Sequence, residues 1–343
     1  MEENINSIEN IQNNELFEHY KVIVDPGQTQ LRVDKFLMDK VENTSRNKLQ
    51  EAASAGNIHV NNIAVKSNYK VKPGDVVQIV LEHPPREIEL IPQDIPIDIL
   101  YEDDDLILVN KPAGLVVHPG YGNYSGTLVN ALVYHFENLP NQSELGNRPG
   151  LVHRIDKNTS GILVIAKTES SMTHLAKQFY DRTIDRRYLA LVWGDVKEDG
   201  IVKTNLGRSL KNRKVMDVFP FEGEIGKHAI TRYKVLQNFG YVTLVECKLE
   251  TGRTHQIRVH MKSIGHPLFN DPEYGGAVVL KGKPTANYRR FVQNCFDLIP
   301  GQALHARSLT LDHPSKKGEV ISYKSELPEG FKAIIERFKK VQD

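Results

Sequence analysis

Apolar and polar positions change rhythm three times along this chain, and each change marks a boundary. Residues 1–19 are sparse in apolar side chains and rich in Asn and Glu, so they read as a flexible leader that extends to about residue 30. Within it, Tyr20 to Val24 alternates as a short strand does. Residues 31–83 read as a compact α+β module. Leu31, Phe36 and Leu37 share one helical face. Thr44-Ser45 caps a second helix, Arg46 to Ala55, which Gly56 closes. Ile58 to Val60 and Ile63 to Val65 are strands joined by Asn61-Asn62, a pair that tolerates positive φ. Lys72-Pro-Gly-Asp75 turns the chain into a strand from Val76 to Leu81. Pro84-Pro85 ends the module, and residues 84–98 read as an extended linker.

From about residue 99 short apolar runs dominate. Asp105 to Val109, Leu163 to Ala166, Tyr188 to Val192 and Tyr241 to Leu249 read as strands, with helices over Thr127 to Phe136 and Ser171 to Tyr180. The fold class expected over 99–325 is α+β, with a large mixed, mostly antiparallel sheet. In the C-terminal segment 326–343, Phe331, Ile334, Ile335 and Phe338 recur at helical spacing and predict an amphipathic helix.

Composition narrows the class. The 343 residues are 40% hydrophobic and 25% charged, ordinary for a globular chain with room for two or three domains. The longest apolar runs, such as Ile162 to Ala166, are too short to span a bilayer, and Met1-Glu2-Glu3-Asn4 does not open like a signal peptide. A cytoplasmic protein with no membrane partner is expected, and a monomer is the simplest assembly. Cys247 and Cys295 make no disulfide framework and read as reduced thiols.

The net charge of +1 hides an uneven distribution. The leader is acidic, whereas basic clusters recur at Arg208-Lys211-Arg213-Lys214, at Arg253-His255-Arg258-His260-Lys262 and at Lys281-Lys283-Arg289-Arg290. Each alone reads as a solvated loop. Together, around one candidate carboxylate, they favour a polyanionic partner.

That carboxylate is Asp156. It lies between the apolar runs Gly150 to Val152 and Ile162 to Ala166, with Arg154 two residues before it and Thr159-Ser160-Gly161 as a polar turn after it. Taken alone, Asp156 reads as a turn aspartate, Tyr188 as a core tyrosine and Arg258 as a surface strand arginine. His153 reads as a structural histidine. His255 and His260, five apart, align poorly for a metal on either a strand or a helix, so no metal is expected. No glycine-rich dinucleotide loop and no Walker-type loop is present, and no cofactor is expected.

The run His153-Arg-Ile-Asp-Lys-Asn-Thr-Ser-Gly161 resembles the H-R-[LI]-D-x-x-T-S-G motif of the RluA family of pseudouridine synthases. Asn110-Lys-Pro-Ala-Gly114 with Val117-His-Pro119, Arg187-Tyr188-Leu-Ala190, and Gly252-Arg-Thr-His-Gln-Ile-Arg-Val-His260 resemble three further motifs of that family. Leu304-His-Ala306 and His313-Pro314 echo its C-terminal strands. Arg32-Val-Asp34, Ser45-Arg46 and Gly56-Asn-Ile-His-Val-Asn61 resemble the S4 RNA-binding module. Departures are mild: Ile155 stands where leucine is commoner, and the acidic leader is long. The order of S4 module, linker and catalytic domain looks most like family members that modify large-subunit ribosomal RNA, which implies uridines of the helix 69 stem-loop as targets and ribosomal RNA, or its assembly precursor, as partner.

The resemblance implies that Asp156 is the catalytic carboxylate, that Tyr188 stacks on the uracil, and that Arg258 pairs with Asp156. The chemistry is consistent with those residue types. Pseudouridine formation breaks N1–C1′, turns the base and joins C5 to C1′, without redox change. A single carboxylate near C1′ and C6 serves, whether it attacks the sugar, adds to C6 or takes a sugar proton. Burial would raise its pKa, and a guanidinium forked onto it through two hydrogen bonds would oppose that. The Tyr188 hydroxyl could assist removal of the C5 proton. The base must leave its stack, and Arg154, on the same strand face as Asp156, would fill the gap. Thr159, His255, Gln256 and Arg208 are further candidate RNA contacts, and Arg46 and Lys48 would hold phosphates at the N-terminus of the second helix. A non-catalytic RNA-binding or assembly factor on the same scaffold is the runner-up, disfavoured by the joint presence of Asp156, Tyr188 and Arg258. A hydrolase with paired carboxylates is disfavoured because only one strong carboxylate stands out.

Overall fold

The structure, a computed structural model, describes residues 16–41, 44–82, 90–120, 123–141, 148–212, 215–283 and 285–342. The leader up to residue 15, Pro84-Pro85 with the first part of the linker, and Arg213-Lys214 of one basic cluster lie outside the described residues. The chain divides into two compact units, Met1–Glu87 and Ile88–Asp343.

The first unit runs β1 (Phe17–Ile23), α1 (Val33–Lys40), α2 (Arg46–Ser54), β2 (Ile58–Val60), β3 (Ile63–Ala64) and β4 (Val76–Leu81). Its strands form an antiparallel sheet in the order β1-β4-β2-β3. Local chemistry sets each corner. The Ser45 hydroxyl accepts from the Lys48 amide and caps α2. Asn61 and Asn62 take φ of 51° and 66°, which turns β2 into β3. Phe36, Leu37, Leu49 and Ala53 from the helices pack on Val60 and Val77 of the sheet. Asp34 is fully buried between the helices. It accepts hydrogen bonds from Arg32 (3.0 and 2.9 Å), Arg46 (3.1 Å) and Gln50 (2.9 Å). Burial alone would raise the Asp34 pKa, but those donors hold it down at about 2.

The second unit runs β5 (Ile99–Glu102), β6 (Leu106–Lys111), α3 (Leu128–His135), β7 (Ser160–Ala166), α4 (Glu169–Asp181), β8 (Asp185–Trp193), β9 (Gly200–Arg208), β10 (Met216–Phe219), β11 (Lys227–Asn238), β12 (Val242–Leu249), α5 (Gln256–Ser263), α6 (Ala286–Phe296), β13 (Leu304–Asp312), β14 (Val320–Lys324) and α7 (Glu329–Gln342). Ten strands form one mixed sheet in the order β10-β9-β11-β12-β8-β13-β7-β6-β5, with β14 on β13. Every pairing is antiparallel except β13 with β7. The α+β class with a mostly antiparallel sheet is therefore the observed one.

The central strands are buried on both faces, and strand alternation sorts their side chains. Ile107 and Val109 of β6, with Leu163 and Ile165 of β7, meet α3 on one face. Leu106, Leu108, Ile162 and Val164 meet Met172 and Leu175 of α4 on the other. A third cluster packs Trp193 and Phe269 against α6 and against Phe331, Ile334 and Phe338 of α7. Cys247 and Cys295 are buried free thiols in separate clusters. No helix among the described residues is long and apolar enough to cross a membrane.

Gly161 fixes the junction that carries the site. It has φ of +107°, and a Cβ there would lie 2.2 Å from the Ala306 carbonyl oxygen. Only glycine lets β13 run this close beside the start of β7.

Candidate active site

The segment before β7 is tied to that strand's edge without being a strand itself. Leu151 bridges Ile165, the Ala166 amide donates to the Gly150 carbonyl (2.9 Å), and the Val164 amide donates to His153 Nε2 (3.0 Å). His153 also stacks on Phe179 at 4.6 Å. Burial, with the charge of Arg186, pushes the His153 pKa down to about 3, so the ring is neutral and structural. The chain then turns at Asp156 to Thr159, where the Thr159 amide donates to the Asp156 carbonyl (3.1 Å). The turn thus precedes Ser160 and Gly161, which open β7, instead of lying on them as the sequence suggested.

Lys111, at the end of β6, clamps this turn. It is 1% exposed. Its ammonium donates to the carbonyls of Pro112 (2.8 Å), Leu115 (2.7 Å) and Lys157 (2.9 Å). The Gly114 amide donates to the same Lys157 carbonyl (2.9 Å). Three donors meet three acceptors, one of them on the residue after Asp156. Burial pushes the Lys111 pKa down to about 7, opposed by the charge of Asp156. Sequence reading placed Lys111 in a motif without giving it this task.

Asp156 projects into a cavity of about 760 Å³ that Tyr188, His255 and Arg258 also line. Its side chain is 21% exposed. Arg258 Nη1 donates to Asp156 Oδ2 at 3.1 Å, and His255 Nε2 lies 3.8 Å from Oδ1. Tyr188 is buried on β8, and its pKa is raised by burial and by the Asp156 charge, while Arg186 acts the other way. At neutral pH its phenol is protonated, so it offers a ring face and a donor, not a base.

Arg258 departs from the sequence reading in two respects. It sits on α5, not on a surface strand, and it is buried. Its two parallel hydrogen bonds go to Asp271 (Nε to Oδ2 2.7 Å, Nη2 to Oδ1 2.8 Å), and Nη2 also meets Glu273 (2.5 Å). Asp156 receives one bond. Tyr274 lies under the guanidinium, 4.8 Å from ring centroid to Cζ. Burial would lower the Arg258 pKa, but Asp271, Asp156 and Glu273 raise it beyond the usual arginine value. Three carboxylates therefore converge on this arginine, but among them only Asp156 lines the cavity. Asp271, Glu273 and Tyr274 were not singled out from the sequence. The signal was the tight run Asn270-Asp-Pro-Glu-Tyr-Gly-Gly276, which sets two acids in a turn after an arginine-rich segment.

The remaining candidates separate. Arg154 lines the cavity and is exposed, but it lies on an extended loop, so strand alternation does not place it beside Asp156. His255 lines the cavity at φ of 55°, and its Nδ1 bonds the Tyr274 hydroxyl at 2.8 Å. Gln256 also lines the cavity, but its side chain is engaged within the fold. It is 3% exposed, its carbonyl oxygen accepts from Thr251 and Arg253, and its amide donates to Ile230 and Thr231. With all four positions used internally, it braces the loop before α5 and has none left for RNA. Thr159 lines the cavity too; it is buried, and its hydroxyl accepts from Gln302 (3.3 Å). Arg208 is exposed at the end of β9 and does not line the cavity. Arg46 and Lys48 lie on α2 in the first unit, with Arg46 partly engaged by Asp34. The cluster around Arg258 is not a solvated basic face either, because His260 is fully buried between Thr204 (3.0 Å) and Thr231 (2.8 Å).

Comparison with known proteins adds independent findings. Residues 105–263 match the family model for RNA pseudouridylate synthase, and residues 31–77 match the S4 domain. The chain is 46% identical over 320 residues to a protein of Chlorobaculum parvum named "Uncharacterized RNA pseudouridine synthase", covering 93% of this chain and 97% of that one. It is 41% identical to the "Ribosomal large subunit pseudouridine synthase D" of Nitrosomonas europaea, covering 91% of this chain and 85% of that protein. Its fold is similar to that of Human RNA Pseudouridylate Synthase Domain Containing 4, with a TM-score of 0.55 and 26% identity, over 71% of this chain and 93% of that one.

Proposed function

The chain belongs to the RNA pseudouridine synthases, and from that premise we propose that Asp156, Tyr188 and Arg258 convert specific uridines of large-subunit ribosomal RNA to pseudouridine. The observation that carries the assignment is the Asp156–Arg258 contact of 3.1 Å at the wall of a cavity that Tyr188 shares. The relatives named as large-subunit enzymes supply the substrate class, and the helix 69 stem-loop is the target we assign within it. The enzyme acts as a cytoplasmic monomer on ribosomal RNA or its assembly precursor.

The residues divide the work. The uridine is everted into the cavity, at a cost of a few kcal/mol for unstacking, and Arg154 at the exposed rim occupies the place the base leaves. Tyr188 covers the uracil, keeps it in the cavity while N1–C1′ is broken, and shields the detached pair from water. Asp156 meets C1′ or C6 with its free oxygen. Arg258, fixed from behind by Asp271 and Glu273, holds and aims the Asp156 carboxylate. As C5 bonds to C1′, the C5 proton departs and N1 gains one, so the overall change is an isomerisation. Arg46 and Lys48, on the cap-stabilised α2, hold RNA phosphates in the S4 unit.

Mapping pseudouridines in total RNA from cells with and without the gene tests this reading. Loss confined to uridines of helix 69 is the expected result. An unchanged ribosomal RNA map, or loss confined to transfer RNA, would refute the substrate assignment.

A further inference from the structure

Strand β8 alternates, so Arg186 and Tyr188 face one side of the sheet and Asp185 and Arg187 the other. Arg187 is paired with Asp185 (3.0 Å) and Glu246 (3.0 Å) on its side. Arg186 has no ion-pair partner among the described residues. It is 8% exposed, and its Nε is enclosed without a hydrogen-bond partner. No carboxylate, carbonyl or hydroxyl among the described residues takes a hydrogen bond from it. The Phe179 ring lies under it, 5.2 Å from Cζ to centroid. The guanidinium lines the same cavity as Asp156 and Tyr188. Space is kept for it: a Cβ on Gly252 would lie 2.8 Å from its Nη1.

A buried cation with no counter-charge is costly, so a folded chain retains one chiefly where a ligand neutralises it. Neutral oxygens of uracil or ribose would satisfy its donors but leave the charge unbalanced. A phosphodiester does both, and its two free oxygens match the fork of a guanidinium. The rest of the rim points the same way. Arg154, Arg182 and Arg253 also line the cavity. Burial and the charge of Arg182 together lower the Arg253 pKa, so these cations are near one another. The rim acid Asp181 is paired with Lys177 (2.5 Å), and Asp156 with Arg258.

We propose that Arg186 binds a backbone phosphate flanking the everted uridine, and that this contact holds the nucleotide's sugar while its base turns. The inference rests on the cavity being the uridine site. Arg186 is a binding residue that does not touch the atoms that react.

The test uses the full-length protein and the RNA stem-loop that it modifies, with each phosphate around the target uridine replaced in turn by an uncharged methylphosphonate. Arg186→Gln should weaken RNA binding about thirtyfold and reduce the slope of log affinity against log salt by about one. One methylphosphonate should weaken the wild type similarly and leave Arg186→Gln unaffected, as coupled partners require. The melting temperature of RNA-free Arg186→Gln should stay level or rise, because an unpaired charge has been removed from the interior. Wild-type affinity in Arg186→Gln, or equal sensitivity of both proteins to every methylphosphonate, would overturn the proposal. A large drop in melting temperature with unchanged RNA affinity would also do so, by making Arg186 a prop for Phe179. A chain that modifies no RNA refutes the functional reading itself, whereas one that modifies RNA equally well without Arg186 refutes only this inference.

Discussion

Arg258 grips Asp271 with two parallel hydrogen bonds of 2.7 and 2.8 Å and extends only its remaining amino group to Asp156. Asp271 is fully buried and also accepts from the Glu273 and Tyr274 amides (3.1 and 3.2 Å). The arginine is thereby fixed before substrate arrives. Asp271→Asn should cost about 3 kcal/mol of stability, since it removes the counter-charge of a buried cation. Turnover should fall at least tenfold with RNA affinity held within a few-fold, because the aim of Asp156 is lost before its surroundings are. Single-turnover kinetics beside thermal melts check both effects, and wild-type turnover in a folded Asp271→Asn would remove Asp271 from the account.

The Lys111 clamp makes a second prediction. Lys111→Met leaves the Pro112 and Leu115 carbonyls without this donor and the Lys157 carbonyl with the Gly114 amide alone, for a loss of about 2 kcal/mol. The turn after Asp156 should loosen, so turnover should fall more than RNA binding does. Amide exchange at residues 157–159 reads the loosening directly, and unaltered protection there would contradict the clamp.

Glycine substitutions separate conformational strain from steric conflict. Gly161 and Gly265 both have positive φ (+107° and +86°), but a Cβ at Gly265 meets nothing within 4 Å. Gly265→Ala should cost about 1 kcal/mol and leave activity intact. Gly161→Ala must in addition push β13 away from β7, and should cost several-fold more and abolish turnover. Denaturant unfolding of the two variants measures the contrast, and equal costs would refute the close-approach argument.

Much of this arrangement was legible because its causes are local. Ser45 caps, Asn61-Asn62 turns and the Phe331 to Phe338 stripe each act within a few residues, and each formed the element expected. What escaped was set by partners far along the chain. Ile257 and Val259 alternate with Arg258 and His260 as on a strand, yet they lie on α5, where Gln256, Arg258 and His260 are buried on partners inside the fold. The strands β9 to β11 were missed because one of their faces is solvated and charged, which blurs the apolar period. Asp156 and Tyr188 could be picked out by motif. The direction of the Arg258 fork could not, because Asp271 reaches it only through the turn that follows α5.

Acid stability should expose the buried neutral histidines. Burial pushes His260 and His305 down to about 4 each, the latter also under the charge of Arg307 and against a hydrogen bond to the Ser325 backbone. A base with a depressed folded pKa binds its proton more readily when unfolded. Stability is therefore full above the ordinary histidine value near 6.5 and falls as pH drops from there toward 4, by up to about 3 kcal/mol per group. Melting temperature followed from pH 7 to pH 4 should decline through this window, and His260→Gln should flatten part of the decline. A curve level down to pH 5 in both proteins would contradict these assignments.

The central claim concerns one carboxylate. Purified wild-type protein and Asp156→Asn are incubated with the target ribosomal RNA, and pseudouridine is quantified alongside the RNA dissociation constant. The account predicts no detectable pseudouridine from Asp156→Asn with RNA affinity within a few-fold of wild type. Pseudouridine formed at the wild-type rate by the variant would contradict it.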